Sequence, residues 1–96
     1  MHFQTIKRLQ ADHGLTEIQK MINSGQAWKR EGSYGRYAMS LLESGACMLP
    51  KEQRVDYYGN TVPSRDMLKE GTKGTFKNSV NFWNAVLDGD IELDEE

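Results

Sequence analysis

Four short stretches of the sequence carry apolar residues at the spacing of an α-helix, and a glycine follows shortly after each stretch. These glycines are Gly14, Gly25, Gly45 and Gly89. Side chains three or four positions apart lie on one face of a helix, so this spacing predicts amphipathic helices. Glycine is the residue that most often follows a helix end, because it adopts the left-handed conformation without strain. The pattern predicts a chain built mainly from short helices.

The first two predicted helices are short and adjacent. The first covers about residues 2–13, and its apolar stripe consists of Phe3, Ile6 and Leu9. The second begins at Thr16, which stands three residues before Gln19 in the order of a capping box. Its stripe consists of Ile18, Met21 and Ile22. We expect a tight turn at Gly14 to join the two helices.

The third and fourth predicted helices carry the broader apolar faces. The third has Ser33 as its N-cap, and its stripe consists of Tyr34, Tyr37, Ala38, Leu41 and Leu42. The fourth follows Thr75, a residue type suited to an N-cap, and its stripe consists of Phe76, Val80, Phe82, Trp83, Val86 and Leu87. We expect these two helices to pack on each other, because each must bury its stripe.

The region from Pro50 to Thr75 lacks helical spacing. Residues 55–58 and 61–63 are rich in strand-forming types and flank the turn pair Gly59-Asn60, which predicts a small β-hairpin or an ordered loop. The resulting fold class is mainly α, with α+β possible. It consists of about four short helices packed around an irregular central segment with a possible small β-hairpin.

The size and composition of the chain limit the classes of protein to which it can belong. Its 96 residues suffice for one hydrophobic core, and the core is small enough that a homo-oligomer is possible. The single cysteine, Cys47, excludes an internal disulfide and a cysteine-rich zinc module. No stretch approaches the roughly 20 apolar residues that span a bilayer. We expect a cytoplasmic protein that binds no membrane and needs no metal or cofactor.

Charge is distributed unevenly along the chain. Residues 88–96 contain six carboxylates and no lysine or arginine, which leaves 12 basic and 8 acidic residues in positions 1–87. We therefore expect a compact domain over 1–87 and an acidic C-terminal tail over 88–96. The tail has three interpretations: a solvated terminus, a mask over a basic site, or a contact for a basic partner.

Residues suited to catalysis are scarce. His2 lies near the terminus, His13 adjoins the glycine that ends the first helix, and neither belongs to a serine-histidine-aspartate set. Cys47 stands in an apolar run without an obvious base, which is typical of a buried cysteine. The sequence therefore predicts a protein that is not an enzyme.

The start of the third helix combines cations with small residues. Helix N-termini carry unpaired N–H groups and a partial positive charge that attract phosphates and carboxylates. The residues of this candidate anion site are Lys29, Arg30, Gly32, Ser33, Gly35 and Arg36. An alternative is purely structural: Ser33 caps the helix, Gly35 permits close packing, and the cations face water.

A second group of polar residues suits an interaction surface. Tyrosine and arginine are enriched where proteins bind each other, and aromatic rings beside cations also stack on nucleobases. The candidate residues are Tyr57, Tyr58, Arg65 and Lys73. The alternative for the tyrosines is packing at the edge of the core. Lys73 lies in a glycine-containing loop before the fourth helix, but it precedes the second glycine, so the order of a P-loop is not met.

Three runs of the sequence resemble small uncharacterised proteins of tailed bacteriophages and prophages. The runs are SGQAWKREGSYGR at 24–36, ESGAC at 43–47 and DYYGNTVPSR at 56–65, and the likeness covers residues 16–77. The resemblance implies a bacterial cytoplasm and an accessory role, such as interference with a host or defence component. It assigns no catalytic or binding residue.

Three functional hypotheses follow from these observations. The first is a non-enzymatic phage or prophage accessory protein that binds a host or defence-system macromolecule, most simply a protein. The second is a small-ligand protein that binds a nucleotide or phosphate at residues 32–36. The third is weak nucleic-acid binding by the basic body, regulated by the acidic tail.

Overall fold

Helices supply most of the regular structure. The computed structural model describes residues 1–29 and 33–92. Within those ranges the elements, in chain order, are α1 (Phe3–Asp12), α2 (Thr16–Ser24), a 3-10 helix (Gln26–Trp28), α3 (Ser33–Ser44), β1 (Arg54–Val55), β2 (Thr61–Val62) and α4 (Phe76–Leu87). The two strands form a small antiparallel sheet. The mainly α fold with a small hairpin is therefore confirmed.

The helices bury their apolar stripes in a shared core. Ile6 of α1, Ile22 of α2 and Trp83 of α4 expose none of their surface. A side chain of this kind stabilises the folded state by about 1.5–3 kcal/mol when it leaves water. The expected packing of α4 on α3 is confirmed, and there the Asn78 side-chain amide donates to the carbonyl oxygen of Leu42 at 3.3 Å.

A segment without helix or strand structure, residues 45–50, lies in this core between α3 and β1. All six residues from 45 to 50 are buried, so their backbone polar groups need partners inside the protein. Gln19 of α2 donates from Nε2 to the Met48 carbonyl and accepts from the Met48 N–H, both at 2.9 Å. Gln10 of α1 donates to the Ala46 carbonyl and to Gln19 Oε1, also at 2.9 Å. The two glutamines anchor the segment to α1 and α2.

The starts of α2 and α4 differ in how they are capped. Thr75 is the N-cap of α4 as predicted, and its Oγ1 accepts from the Asn78 N–H at 3.2 Å. The capping box predicted at Thr16 is wrong, because the N-cap of α2 is Leu15 and no side chain caps it. The amide of Gln19 is buried instead, where it pairs with backbone groups that have no access to water.

The hairpin is short and closed by a compact turn. Its strands contain two residues each, with Arg54 opposite Val62 and Val55 opposite Thr61. The Asp56 N–H donates to the Asn60 carbonyl at 2.9 Å, and the backbone φ of Gly59 is +83°. The Asp56–Asn60 hydrogen bond encloses residues 57–59, and a loop of this length with glycine in the left-handed region is a common hairpin closure.

Candidate functional site

The predicted anion site is described in part. Arg30 and Gly32 lie outside the described residues. Lys29 and Ser33 are exposed on either side of that gap, and Ser33 is the first residue of α3. An added Cβ at Gly35 would lie 3.7 Å from the carbonyl oxygen of Ala27, an ordinary contact distance, so packing there does not require glycine.

A large groove opens between α3 and the hairpin. Its volume is about 890 Å³, within the range of pockets that bind ligands or peptide side chains. Most of its lining is apolar and comes from elements far apart in sequence: Trp28, Met39, Leu42, Leu49, Val62 and Leu68. Met39 is 45% exposed. The groove is therefore an apolar surface that the described residues leave partly uncovered.

Charged groups of both signs stand among the polar residues of the groove. Arg36 and Lys73 contribute positive charge, and Glu43 and Asp56 contribute negative charge. The Lys73 Nζ lies 4.0 Å from Glu43 Oε2, and both side chains are more than half exposed, so this ion pair contributes little to stability. Among the described residues that line the groove, the two cations and the two carboxylates balance.

Asp56 stabilises the hairpin turn at the edge of the groove. Its Oδ1 accepts from the backbone N–H groups of Tyr58 at 2.9 Å and Asn60 at 2.8 Å. These bonds hold the carboxylate in the hairpin turn. Asp56 therefore gives the groove a negative charge in a fixed position, whereas Lys73 and Arg36 are on long exposed side chains.

The two tyrosines predicted as an interaction surface lie in the hairpin turn. Tyr57 is 59% exposed and Tyr58 is 84% exposed, and their rings meet edge to face with centroids 5.3 Å apart. The N–H of Tyr57 donates to the Trp28 carbonyl at 2.8 Å, which ties the turn to the 3-10 helix. In the sequence, Tyr57 and Tyr58 come directly after Asp56, and neither tyrosine lines the groove.

Arg65 is separated from the other predicted surface residues. Its side chain is half-buried, and Nε donates to the Leu49 carbonyl at 2.8 Å while Nη2 donates to Asn23 Oδ1 at 3.3 Å. The guanidinium carbon lies 5.4 Å from the centroid of the Phe3 ring. Burial lowers the pKa of Arg65, and the charge of Asp66 opposes that effect. Arg65 lines a second cleft, so the four predicted residues do not form one surface.

The residues weighed for catalysis lie apart from the groove. Cys47 is fully buried, and desolvation raises the pKa of its thiol to about 12, so the thiol stays protonated near neutral pH. The ring of His13 packs 5.4 Å from that of Trp83. Within residues 1–29 and 33–92, no three His, Cys, Asp or Glu side chains are grouped so that they could hold a metal ion.

Sequence reasoning missed the apolar walls of the groove and the roles of two glutamines. Met39 lies outside the apolar stripe of α3, and Leu49 and Leu68 belong to segments without periodicity, so spacing gave no signal for them. A signal for Gln10 was present, because it follows Ile6 by four positions and so shares the buried face of α1.

Comparisons of the chain with protein-family models, with curated proteins and with solved structures found no match. None of the helices in the described part of the chain has the length and apolar character needed to cross a membrane.

Proposed function

We propose that this protein is a non-enzymatic binding module whose groove docks an apolar segment of a partner protein. The observation that carries the proposal is the groove of about 890 Å³ between α3 and the hairpin, walled by apolar side chains. An uncovered apolar surface of this kind on a small domain is typical of a site that another molecule covers. The phage resemblance suggests that the partner is a host or defence-system protein in the bacterial cytoplasm.

Side chains, more than backbone groups, supply the recognition. Pro63 directly follows β2 and has no N–H, and the N–H of Tyr57 after β1 is already bonded to Trp28. A partner strand added to this hairpin would therefore lack a hydrogen-bond donor at both of these positions. The occupant is therefore a helix or turn that inserts apolar side chains between α3 and the hairpin.

Met39 lets the groove adapt to the shape of a bound side chain, and the charged residues of the groove orient the bound segment. The side chain of Met39 is unbranched and polarizable, so it adjusts to the shape of an inserted side chain. Arg36 and Lys73 bear one sign of charge and Glu43 and Asp56 the other, which fixes the register of a segment with charges on both flanks. The exposed rings of Tyr57 and Tyr58 extend the contact beyond the groove.

The test compares two methionine substitutions in the full-length protein. Met39→Arg places a charge in the groove, whereas Met67→Arg changes a residue that is 60% exposed and does not line it. Affinity capture from bacterial lysate with mass spectrometry should recover one protein with the wild type and with Met67→Arg, and lose it with Met39→Arg. The purified partner should then bind the wild type directly, with affinity lowered at least about tenfold by Met39→Arg.

Two results would overturn this assignment. One is the absence of any protein above background in the wild-type capture. The other is equal recovery of the same protein by Met39→Arg and Met67→Arg, with both variants folded by circular dichroism, since that places the contact outside the groove.

A small anionic ligand is the second candidate for the same groove. Arg36 of the predicted anion site and Lys73 both line it, although Lys73 lies near Glu43. Under this hypothesis nucleotides or inorganic phosphate raise the melting temperature of the wild type, and Arg36→Ala removes the shift without unfolding the protein. No shift with any of these anions would exclude it.

A further inference from the structure

A second cleft lies apart from the groove and shares none of its lining residues. Its volume is about 370 Å³, and its walls come from the start of α1, the segments around residues 51 and 65, and the start of α4. The lining residues are Phe3, Lys51, Arg65, Asp66 and Phe76. Two aromatic rings and two cations therefore meet in a cleft large enough for a small ligand.

Among the described residues, no carboxylate neutralises the charge of Arg65 at contact distance. Its two hydrogen bonds go to neutral oxygens, those of Leu49 and Asn23, and no carboxylate of the described residues lies within ion-pair distance of the guanidinium. Asp66 acts on it only at longer range. A half-buried guanidinium with N–H groups to spare is suited to a carboxylate from outside, which it binds through charge-assisted bonds.

The charged residues of the cleft favour an anion. Lys51 and Arg65 contribute two positive charges and Asp66 one negative charge, which leaves a balance of one positive charge. A carboxylate carries the single charge that balances the cleft.

The rings of Phe3 and Phe76 specify what the carboxylate is attached to. Phe3 is 38% exposed and lies under Arg65, and Phe76 is half-buried at the start of α4. A planar aromatic group packs favourably against such rings in stacked or edge-to-face arrangements. A ligand with an aliphatic body would forgo this contribution.

We propose that this second cleft binds a carboxylate attached to an aromatic group, with Arg65 and Lys51 pairing with the carboxylate and Phe3 and Phe76 packing on the ring. This chemistry occurs in free aromatic acids and at the C-terminus of a peptide that ends in an aromatic residue. The site is independent of the groove and adds a small-ligand or chain-end specificity to a binding module.

The test uses N-acetyl-L-phenylalanine as the probe and N-acetyl-L-phenylalaninamide as its uncharged match. Amide resonances of the full-length protein are followed by two-dimensional NMR during titration. The acid should give saturable shifts centred on residues 3, 51, 65, 66 and 76, and the amide should bind at least about tenfold more weakly, because it lacks the charge. A peptide ending in a free phenylalanine carboxylate, titrated in parallel, distinguishes a chain end from a free acid by which binds more tightly.

Substitutions localise the effect. Lys51→Ala should weaken the acid about threefold to tenfold, whereas Lys20→Ala, an exposed lysine outside the cleft, should leave it unchanged. Arg65→Lys keeps the positive charge but loses the planar guanidinium. A folded Arg65→Lys variant should bind the acid more weakly than Lys51→Ala does. Three outcomes would overturn the proposal: no saturable shift of either probe up to about 10 mM, equal binding of acid and amide, or shifts confined to the groove.

Discussion

At the scale of single residues, Gln19 is a buried polar side chain on which the fold depends. Its amide pairs with both backbone groups of Met48, as a neighbouring strand would, and also accepts from Gln10. Gln19 is 7% exposed, so water cannot replace these bonds. A buried donor or acceptor left unpaired costs about 1–3 kcal/mol.

Replacing Gln19 by leucine should therefore lower the free energy of unfolding strongly. Gln19→Leu leaves the Met48 N–H and carbonyl without partners, and we expect a loss of about 2–4 kcal/mol after the gain in apolar burial. Urea unfolding followed by circular dichroism measures this. The control is Gln53→Leu, since Gln53 is exposed and should change the free energy by less than about 0.5 kcal/mol. Similar losses in the two variants would contradict the role assigned to Gln19.

Cys47 makes the free energy of unfolding depend on pH in the alkaline range. Burial raises the pKa of its thiol from an ordinary value of 9.0 to about 12. Between these values the unfolded chain releases the proton and the folded chain keeps it, so stability is fully present below about pH 9 and falls as the pH rises toward about 12. The slope attributable to this thiol is at most about 1.4 kcal/mol per pH unit.

Comparison with Cys47→Ala isolates that slope from the titration of lysines and tyrosines. The free energy of unfolding is measured by urea at about pH 8 and about pH 10 for both proteins. The wild type should lose more stability between the two pH values than the alanine variant, although the variant is less stable at both. Equal losses would show that the thiol is not protected in the folded state.

At the scale of elements, the turns are set by glycines that differ in what surrounds them. Gly71 and Gly74 both have φ of +90°, a conformation that strains any other residue. A Cβ at Gly71 would meet nothing within 4 Å, whereas a Cβ at Gly74 would lie 2.6 Å from Cγ of Leu49. The Leu49 N–H also donates to the Gly74 carbonyl at 2.8 Å, so the two backbones cannot separate freely.

The matched substitutions Gly71→Ala and Gly74→Ala separate backbone strain from crowding. Gly71→Ala should cost about 1–2 kcal/mol from the backbone alone. Gly74→Ala should cost a further amount of about 1–3 kcal/mol, because Leu49 must move out of a packed position in the groove wall. Thermal or urea unfolding of the two variants tests this order. If Gly74→Ala lost no more free energy of unfolding than Gly71→Ala, the loop before α4 would deform more easily than its contacts indicate.

At the scale of the whole molecule, the chain folds back after α4. The N–H of Asp90 donates to the Ala85 carbonyl at 2.9 Å, and Ile91 packs against the hydrophobic core. The segment predicted as an acidic tail therefore begins with residues that contribute to the body. Residues 93–96 lie outside the described residues.

A truncation and a point substitution measure what Ile91 contributes to stability. A variant ending at Leu87 should melt about 4–8 °C lower than the full chain for each kcal/mol lost with Ile91. Ile91→Ser in the full chain keeps every carboxylate and should reproduce most of the decrease, so charge is not the cause. Equal melting temperatures for all of these proteins would show that Ile91 contributes nothing to stability.

Local sequence patterns predict the secondary-structure elements but only some of the residues that line the groove. Helical spacing and glycine positions located all four α-helices of the described residues but not the 3-10 helix, and the turn pair at Gly59 located the hairpin. Arg36 and Lys73, singled out for separate reasons, both line the groove. Neither residue spacing nor composition predicted that Met39 and Leu49 would line the groove. They also did not predict that Arg65 would lie in a different cleft.

The sequence by itself determined the approximate positions of the α-helices, because the hydrogen bonds of a helix and its caps join residues at most a few positions apart. Only the tertiary structure decided which apolar residues stay uncovered and which polar ones are enclosed. The position of residues 45–50 in the core brings Leu49 opposite α3 and places Met48 against Gln19, 29 positions away. Contacts over such separations depend on the path of the chain, which residue spacing along a single element does not encode.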